Sequence, residues 1–476
     1  MATIIVAEQK TAQPTGALAA PIRVSEIIST LSFALDLTEG QPIGHSIRSC
    51  VFGMHLAKEI GLPLDEQGDL YYALLMKDAG CSTNASKMFQ ILGTDDIRAK
   101  RDVKTTDWTK VGWESLEYAL AHVRTGAPFL ERVRTLFDLA VNHKKNSQEM
   151  VQIRCERGAA IARRIGLSEA TASAIHSLDE LWNGAGHPQG LRGKQIPLLA
   201  RILNLAQTVD VFYSAYDAAA AVKVAKERSG RWFDPDLVKA AESLAHSGAL
   251  WTGLADENLV QKVASLEPKH RQMTVTEDSI DRICMAFAEV IDAKSPFTYR
   301  HSNGVADAAV EIGQWFGMNP RSLKMLRRAA LLHDIGKLSV PNSVLEKPAK
   351  LTSDEWTVVK SHPYYTFEIL KKIPGFERLS QDAAAHHEKL DGSGYWRGWG
   401  AEQLSRFARI LAVADIFDAL HAKRPYRDGI PLEKVFQMLR DDAPRALDLP
   451  CVEALIASKT NSEPLAFSQP EIAVTT

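Results

Sequence analysis

Apolar residues recur along this chain at three- and four-residue spacing. In SIDRICMAFAEVIDAK, for example, Ile280, Ile283, Phe287, Val290 and Ile291 fall on one face of a helix. The same period returns throughout, and no long apolar–polar alternation competes with it. The pattern predicts an all-α fold, with a short hairpin only where glycines cluster, as in DGSGYWRGWG from Asp391 to Gly400. Residues 1–21 and 459–476 lack the period and read as loose tails. No run of about 18 apolar residues suggests a membrane span, and the start MATIIVAEQK does not resemble a secretory signal.

The helical pattern occurs twice. GHSIRS resembles RHSNGV and LYYALLMKDAGCS resembles LRRAALLHDIGKLS, which pair His45 with His301 and Asp78 with Asp334 at an offset of 256 positions. LLARILNLAQTVDVF resembles RFARILAVADIFDAL at an offset of 208, pairing Arg201 with Arg409. The 48-residue difference places an insert in the first copy, at about 83–150, carrying Trp108 and Trp113. These repeats divide the chain into a first helical unit at 22–262, a linker at 263–277 marked by its charges and Pro268, and a second unit at 278–458.

Composition narrows the partners. With 45% hydrophobic and 24% charged residues the chain can bury a sizeable core. A formal net charge of -2 supplies no field to draw in a nucleic-acid polymer or an anionic membrane. Five scattered cysteines with no C-x-x-C spacing suit a reducing cytoplasm.

The candidate chemistry sits in the second unit. AALLHDIGKLSVP ends an apolar helical run with His333 and Asp334 side by side. His301, His362 in SHPYY, the pair His386–His387 and Asp415 complete a set of seven titratable residues. Imidazoles with carboxylates suit borderline transition metals. Seven donors are too many for one open ion and enough for two, which can share a carboxylate and grip both oxygens of a phosphoryl displacement.

The blocks HDIGK, KSHP, HHEKLDGSGY, ARILAVADIFDAL and RPYR closely resemble the HD-GYP family of HD-domain metal-dependent phosphohydrolases, over residues 280–455. The resemblance implies a helical bundle holding two divalent ions, iron or manganese. Asp334 would bridge them, with His301, His333 and Asp415 on one and His362, His386 and His387 on the other. It further implies that Lys337 contacts the scissile phosphate and that Tyr395, Asp418, Arg424 and Arg427 line the nucleotide pocket. Two positions depart from the family. Trp396 replaces the proline of Gly-Tyr-Pro, and Phe297 stands where some members carry a third-metal glutamate.

In the first copy most ligand positions are lost: His333 corresponds to Lys77, Lys337 to Cys81, His362 to Arg154, His386 and His387 to Leu178 and Asp179, and Asp415 to Gln207. This half is expected to be catalytically silent, with Lys77 pairing with Asp78. The expected function is a cytoplasmic phosphodiesterase opening a cyclic dinucleotide, first cyclic di-GMP, to linear pGpG and GMP. The alternatives are 3′,3′-cyclic GMP-AMP as substrate, or a dinucleotide receptor with secondary catalysis. A signalling protein docking on the first half or on the Gly394–Trp396 loop, and a homodimer, are the expected macromolecular partners.

Overall fold

The computed structural model describes residues 22–107, 113–124, 128–254, 259–298, 300–423 and 428–460. Among them the chain is helical, with two isolated β-bridges, Arg23 with Thr274 and Ser229 with Phe233. No described helix is long and apolar enough to cross a membrane.

The first half runs through α1 (Val24–Thr38), α2 (His45–Glu59), α3 (Leu64–Met76), α4 (Ala85–Leu92), α5 (Asp96–Thr105), α6 (Trp113–His122), α7 (Phe129–Ile165), α8 (Glu169–His176) and α9 (Leu198–Ala215). Three helices, α10 (Ala218–Glu227), α11 (Pro235–His246) and α12 (Leu259–Leu266), lead to the second half. That half comprises α13 (Glu277–Asp292), α14 (His301–Trp315), α15 (Pro320–Leu332), α16 (Asn342–Leu345), α17 (Ser353–Lys360), α18 (His362–Leu370), α19 (Glu377–Ala384), α20 (Arg406–His421), α21 (Leu432–Asp442) and α22 (Leu449–Thr460).

Local signals explain these boundaries. α13 starts at Thr276, whose hydroxyl accepts from Ser279 N while Ser279 Oγ accepts from Thr276 N. Its Ile283, Phe287, Val290 and Ile291 are buried, as their spacing predicts. Helix α20 starts at Ser405, which caps Ala408 N.

The repeat is visible in matched polar contacts. Asp36 accepts from the backbone and hydroxyl of Ser46, as Asp292 does from Ser302. Arg201 binds Asp234 as Arg409 binds Asp448. Gly80 and Gly336 are also equivalent. A Cβ at Gly80 would lie 1.9 Å from Arg154 O, and one at Gly336 would lie 1.9 Å from His362 O. In both halves the turn after the third helix therefore presses directly on neighbouring backbone.

The halves share one hydrophobic core. α1 packs against the Ile335–Ser339 turn and α18 of the second half, and α13 packs against α7 and the Cys81–Asn84 turn of the first. The segment at 263–277 is a packed strut. Glu267 is buried and accepts from Ser25 Oγ at 2.7 Å, Tyr72 OH at 2.6 Å and Arg23 Nη1 at 3.1 Å. Nearby, Val24 N donates to Met273 O.

At the start of α5, Asp96 is buried against the second half. It accepts from Lys294 Nζ at 3.0 Å and from Asn342 N at 2.7 Å. Burial pushes the Lys294 ammonium down to about 8 even with Asp96 beside it.

The Gly-rich segment forms no hairpin. It is a loop folded round the Glu388 carboxylate, which accepts from Arg397 N at 2.8 Å and Trp399 N at 3.0 Å. Glycines and a buried acceptor satisfy that backbone without a strand partner. Glu180 performs the same task in the first half, accepting from Gln189 N, Gly190 N and Leu191 N.

Candidate metal centre

Five helices and one turn bring all seven side chains together. His301 opens α14, His333 closes α15, and Asp334 begins the turn that leads to Lys337. His362 opens α18, the pair His386–His387 follows α19, and Asp415 projects from the middle of α20.

Asp334 lies between two groups of donors. Its Oδ2 is 3.3 Å from His333 Nε2 and 3.8 Å from His301 Nε2. Its Oδ1 is 3.4 Å from His362 Nε2 and 3.5 Å from His386 Nε2. Asp415 Oδ1 is 3.1 Å from His301 Nε2, and its Oδ2 is 3.7 Å from His387 Nδ1. Two clusters result, His301–His333–Asp415 and Asp334–His362–His386–His387, each with donor atoms within 4.8 Å of one another.

The imidazoles are oriented from behind. Nδ1 of His333, His362 and His386 donates to the carbonyl three residues earlier, on Ala330, Val359 and Ala383, at 2.7, 2.7 and 2.6 Å. His301 Nδ1 donates to Asp418 Oδ2 at 2.6 Å. These bonds turn four Nε2 lone pairs inward.

The donors fit a cation. Buried His333 Nε2 and Asp334 Oδ1 have no hydrogen-bond partner, a costly arrangement that a metal ion relieves. Burial lowers His362 to about 3 and holds His387 well below its usual range, leaving neutral, ligand-ready rings. Burial opposes ionisation of Asp334, yet His333 and Lys337 hold its carboxyl well below the usual range. Against burial, Asp334 and Asp415 push His333 up to about 10. A cation would displace that proton.

The remaining candidates divide. Lys337 Nζ lies 2.5 Å from Asp334 Oδ2 with its side chain 21% exposed, at the mouth of the cluster. The Tyr395 ring lies 4.7 Å from that of His387. Asp418, expected against the nucleotide, has its Oδ2 2.6 Å from His301 Nδ1, behind a candidate ligand. The clue lay in the repeat, where His45 Nδ1 binds Asp210 Oδ2 at the same 2.6 Å. Arg424, Arg427 and Trp108 lie outside the described residues. Phe297 sits in the short turn before His301 and offers no oxygen to a further ion. We expect Asp418→Asn to weaken metal binding about 10–100-fold at unchanged helicity. Competition with a calibrated chelator would measure this.

Trp396 adopts φ 95, a left-handed conformation that strains a bulky residue. Its ring packs 5.3 Å from Phe367, and the Arg397 guanidinium lies 4.0 Å over it. Proline cannot reach this φ. Trp396→Pro therefore has to rebuild the loop and should lower thermal stability and shift KM, while the metal content measured on the purified protein stays unchanged.

The first half carries charges in place of ligands. Lys77 pairs with Asp78, as its position predicts, and Lys104 Nζ lies 2.8 Å from Glu39 and 3.4 Å from Asp78. Arg154 pairs with Asp179 where the second half has His362 and His387. Glu39, Asp78 and Cys81 form a compact donor group, but these ammonium groups already compensate its carboxylates. Lys104 and Glu39 match no ligand position of the second half, so the repeat gives no sign of them.

The HD domain model matches residues 99–237 and 285–449. The chain is 42% identical to the 3′3′-cGAMP-specific phosphodiesterase 3 of Vibrio cholerae, over 91% of this chain and 94% of that one. It is 34% identical to the cyclic di-GMP phosphodiesterase response regulator RpfG of Xanthomonas campestris, over 44% of this chain and 56% of that protein. The crystal structure of a cyclic GMP-AMP specific phosphodiesterase of V. cholerae superposes with a TM-score of 0.64 at 37% identity, covering 93% of this chain and 98% of that one. With its matched HD segments in both halves, this chain belongs to the HD-domain family and to its HD-GYP branch of metal-dependent phosphohydrolases.

Proposed function

We propose that the second half hydrolyses 3′,3′-cyclic GMP-AMP in preference to cyclic di-GMP, using two divalent cations of iron or manganese type. The chain is a cyclic-dinucleotide phosphodiesterase. From the motifs alone, cyclic di-GMP is the first expectation. The order reverses because the relative matched along almost its whole length is named for cyclic GMP-AMP, whereas the cyclic di-GMP enzymes match about half of theirs. The observation that carries the two-cation reading is Asp334, whose oxygens face separate histidine groups.

Bound cations would supply Lewis acidity and a water of lowered pKa. The protein contributes the rest. Asp334 and Asp415 offset cationic charge inside a buried cluster, and the locked imidazoles hold their lone pairs in place. Lys337, at the mouth, supports the charge that develops on the phosphate and leaving oxygen. Tyr395 walls the side next to His387 and takes the face of a base. The product is a linear dinucleotide. We place the enzyme in the cytoplasm, where its five free, buried thiols persist.

The test is turnover of both cyclic dinucleotides by protein loaded separately with manganese and ferrous iron. A larger kcat/KM for cyclic GMP-AMP is the expected result. Faster cyclic di-GMP hydrolysis would reverse the preference, and no turnover of either by metal-loaded protein would remove the enzymatic reading.

One surface suits self-association. Leu130, Val133, Phe137 and Val141 follow a three–four spacing on α7 and are exposed, Leu130 and Phe137 at 83% and 69%. Contiguous apolar surface of this kind is rare on monomers. We assign it to a contact with a second copy. Phe137→Glu is expected to convert a dimer to a monomer in sedimentation.

A further inference from the structure

The silent half contains a cavity of about 270 Å³. Its floor is formed by the residues that replaced the catalytic ones: Cys81, Arg154, Asp179 and Gln207 all line it. The insert helices α4 to α7 form its roof, with Met88, Ile91, Leu92, Tyr118 and Leu139 supplying an apolar wall. The volume falls just short of the usual range for small-molecule sites, roughly 300–1,000 Å³, and so suits a small ligand.

Its polar atoms are arranged for a ligand. Asn84 is 9% exposed and lines the cavity; its Nδ2 donates to Met150 O at 2.8 Å, and its buried Oδ1 has no partner. Gln207 Oε1 is likewise buried and unpartnered. Both orphans are acceptors, so the group they await is an N–H or O–H donor. Among charged lining residues, the cations Lys100, Lys104 and Arg154 outnumber the carboxylates Glu39 and Asp179. Arg154 presents a five-donor guanidinium to this floor, with contacts to Asp179, Cys81 and Cys155.

We infer that this cavity binds a small amphipathic organic monoanion carrying a hydrogen-bond donor: an apolar or aromatic body under the insert, with its acidic head on the Arg154–Lys104 floor. The site is separate from the metal cluster and does not depend on the substrate assigned above. Loss of ligands in this half thus exchanged a catalytic cleft for a binding cavity, and the insert closed it.

Calorimetric titration of the full chain with indole-3-acetate, 4-hydroxyphenylacetate and 10-hydroxydecanoate tests this. At least one should bind saturably at one site per chain. The matched neutral alcohol of the binding probe should bind about tenfold more weakly or worse, the cost of losing a charge-assisted bond. Ile91→Trp fills the cavity from the roof and should abolish binding, and Asn84→Asp, which opposes an anion, should weaken it about tenfold. Melting curves establish that both variants fold. Failure of all three probes to bind, or undiminished binding in folded Ile91→Trp, would overturn the proposal.

Discussion

Asp334→Asn is expected to yield a folded protein that retains neither cation and hydrolyses its cyclic dinucleotide at least on the order of 10³-fold more slowly, the equivalent of several kcal/mol of lost electrostatic stabilisation. The reason is position. Asp334 Oδ1 faces His362 and His386 while Oδ2 faces His301 and His333, so one residue serves both clusters. An amide keeps the shape but removes the negative charge and presents an NH2 to imidazole lone pairs that need a cation. Elemental analysis after dialysis, alongside turnover, checks the claim. Retention of two metal equivalents by the variant would show that Asp334 does not bridge. By contrast, His387→Ala removes a ligand from only one cluster and should spare one equivalent.

Asp96→Ala is expected to cost about 3–5 kcal/mol, because it leaves Lys294 buried without its carboxylate. Asp96 also receives Asn342 N, so both the segment before His301 and the segment after Lys337 lose an anchor. Activity should fall with stability even though Asp96 touches no ligand. Urea unfolding with the midpoint and slope fitted separately provides the measurement. Adding Lys294→Met removes the stranded charge, so the double variant should recover much of the loss. If the double variant is no better than Asp96→Ala, the buried ammonium is not the cause.

Much of this was legible in the residues. Helical period, the repeat and its two offsets gave an all-α tandem, because burial of one helix face leaves a periodic trace in sequence. The convergence of seven candidate ligands was legible because imidazole beside carboxylate in apolar runs is chemically distinctive. The contact of Asp418 with His301 was legible only through its counterpart Asp210, since a carboxylate three positions before the end of a helix carries no mark of which side it faces. The compensation of the silent half by Lys104 and Glu39 was not legible, since it depends on α5 folding back over the turn at Cys81. The expected hairpin failed for a related reason. Glycine clustering signals tight turns, but a buried Glu388 can organise the loop that strand pairing would otherwise hold.

The unbroken core has a consequence for biosynthesis. When translation has reached residue 262, α1 is complete but the turn and helix it packs against in the second half have not been made. The nascent first half therefore presents unfinished apolar surface until the segment from Ile335 to Leu370 has emerged to cover it.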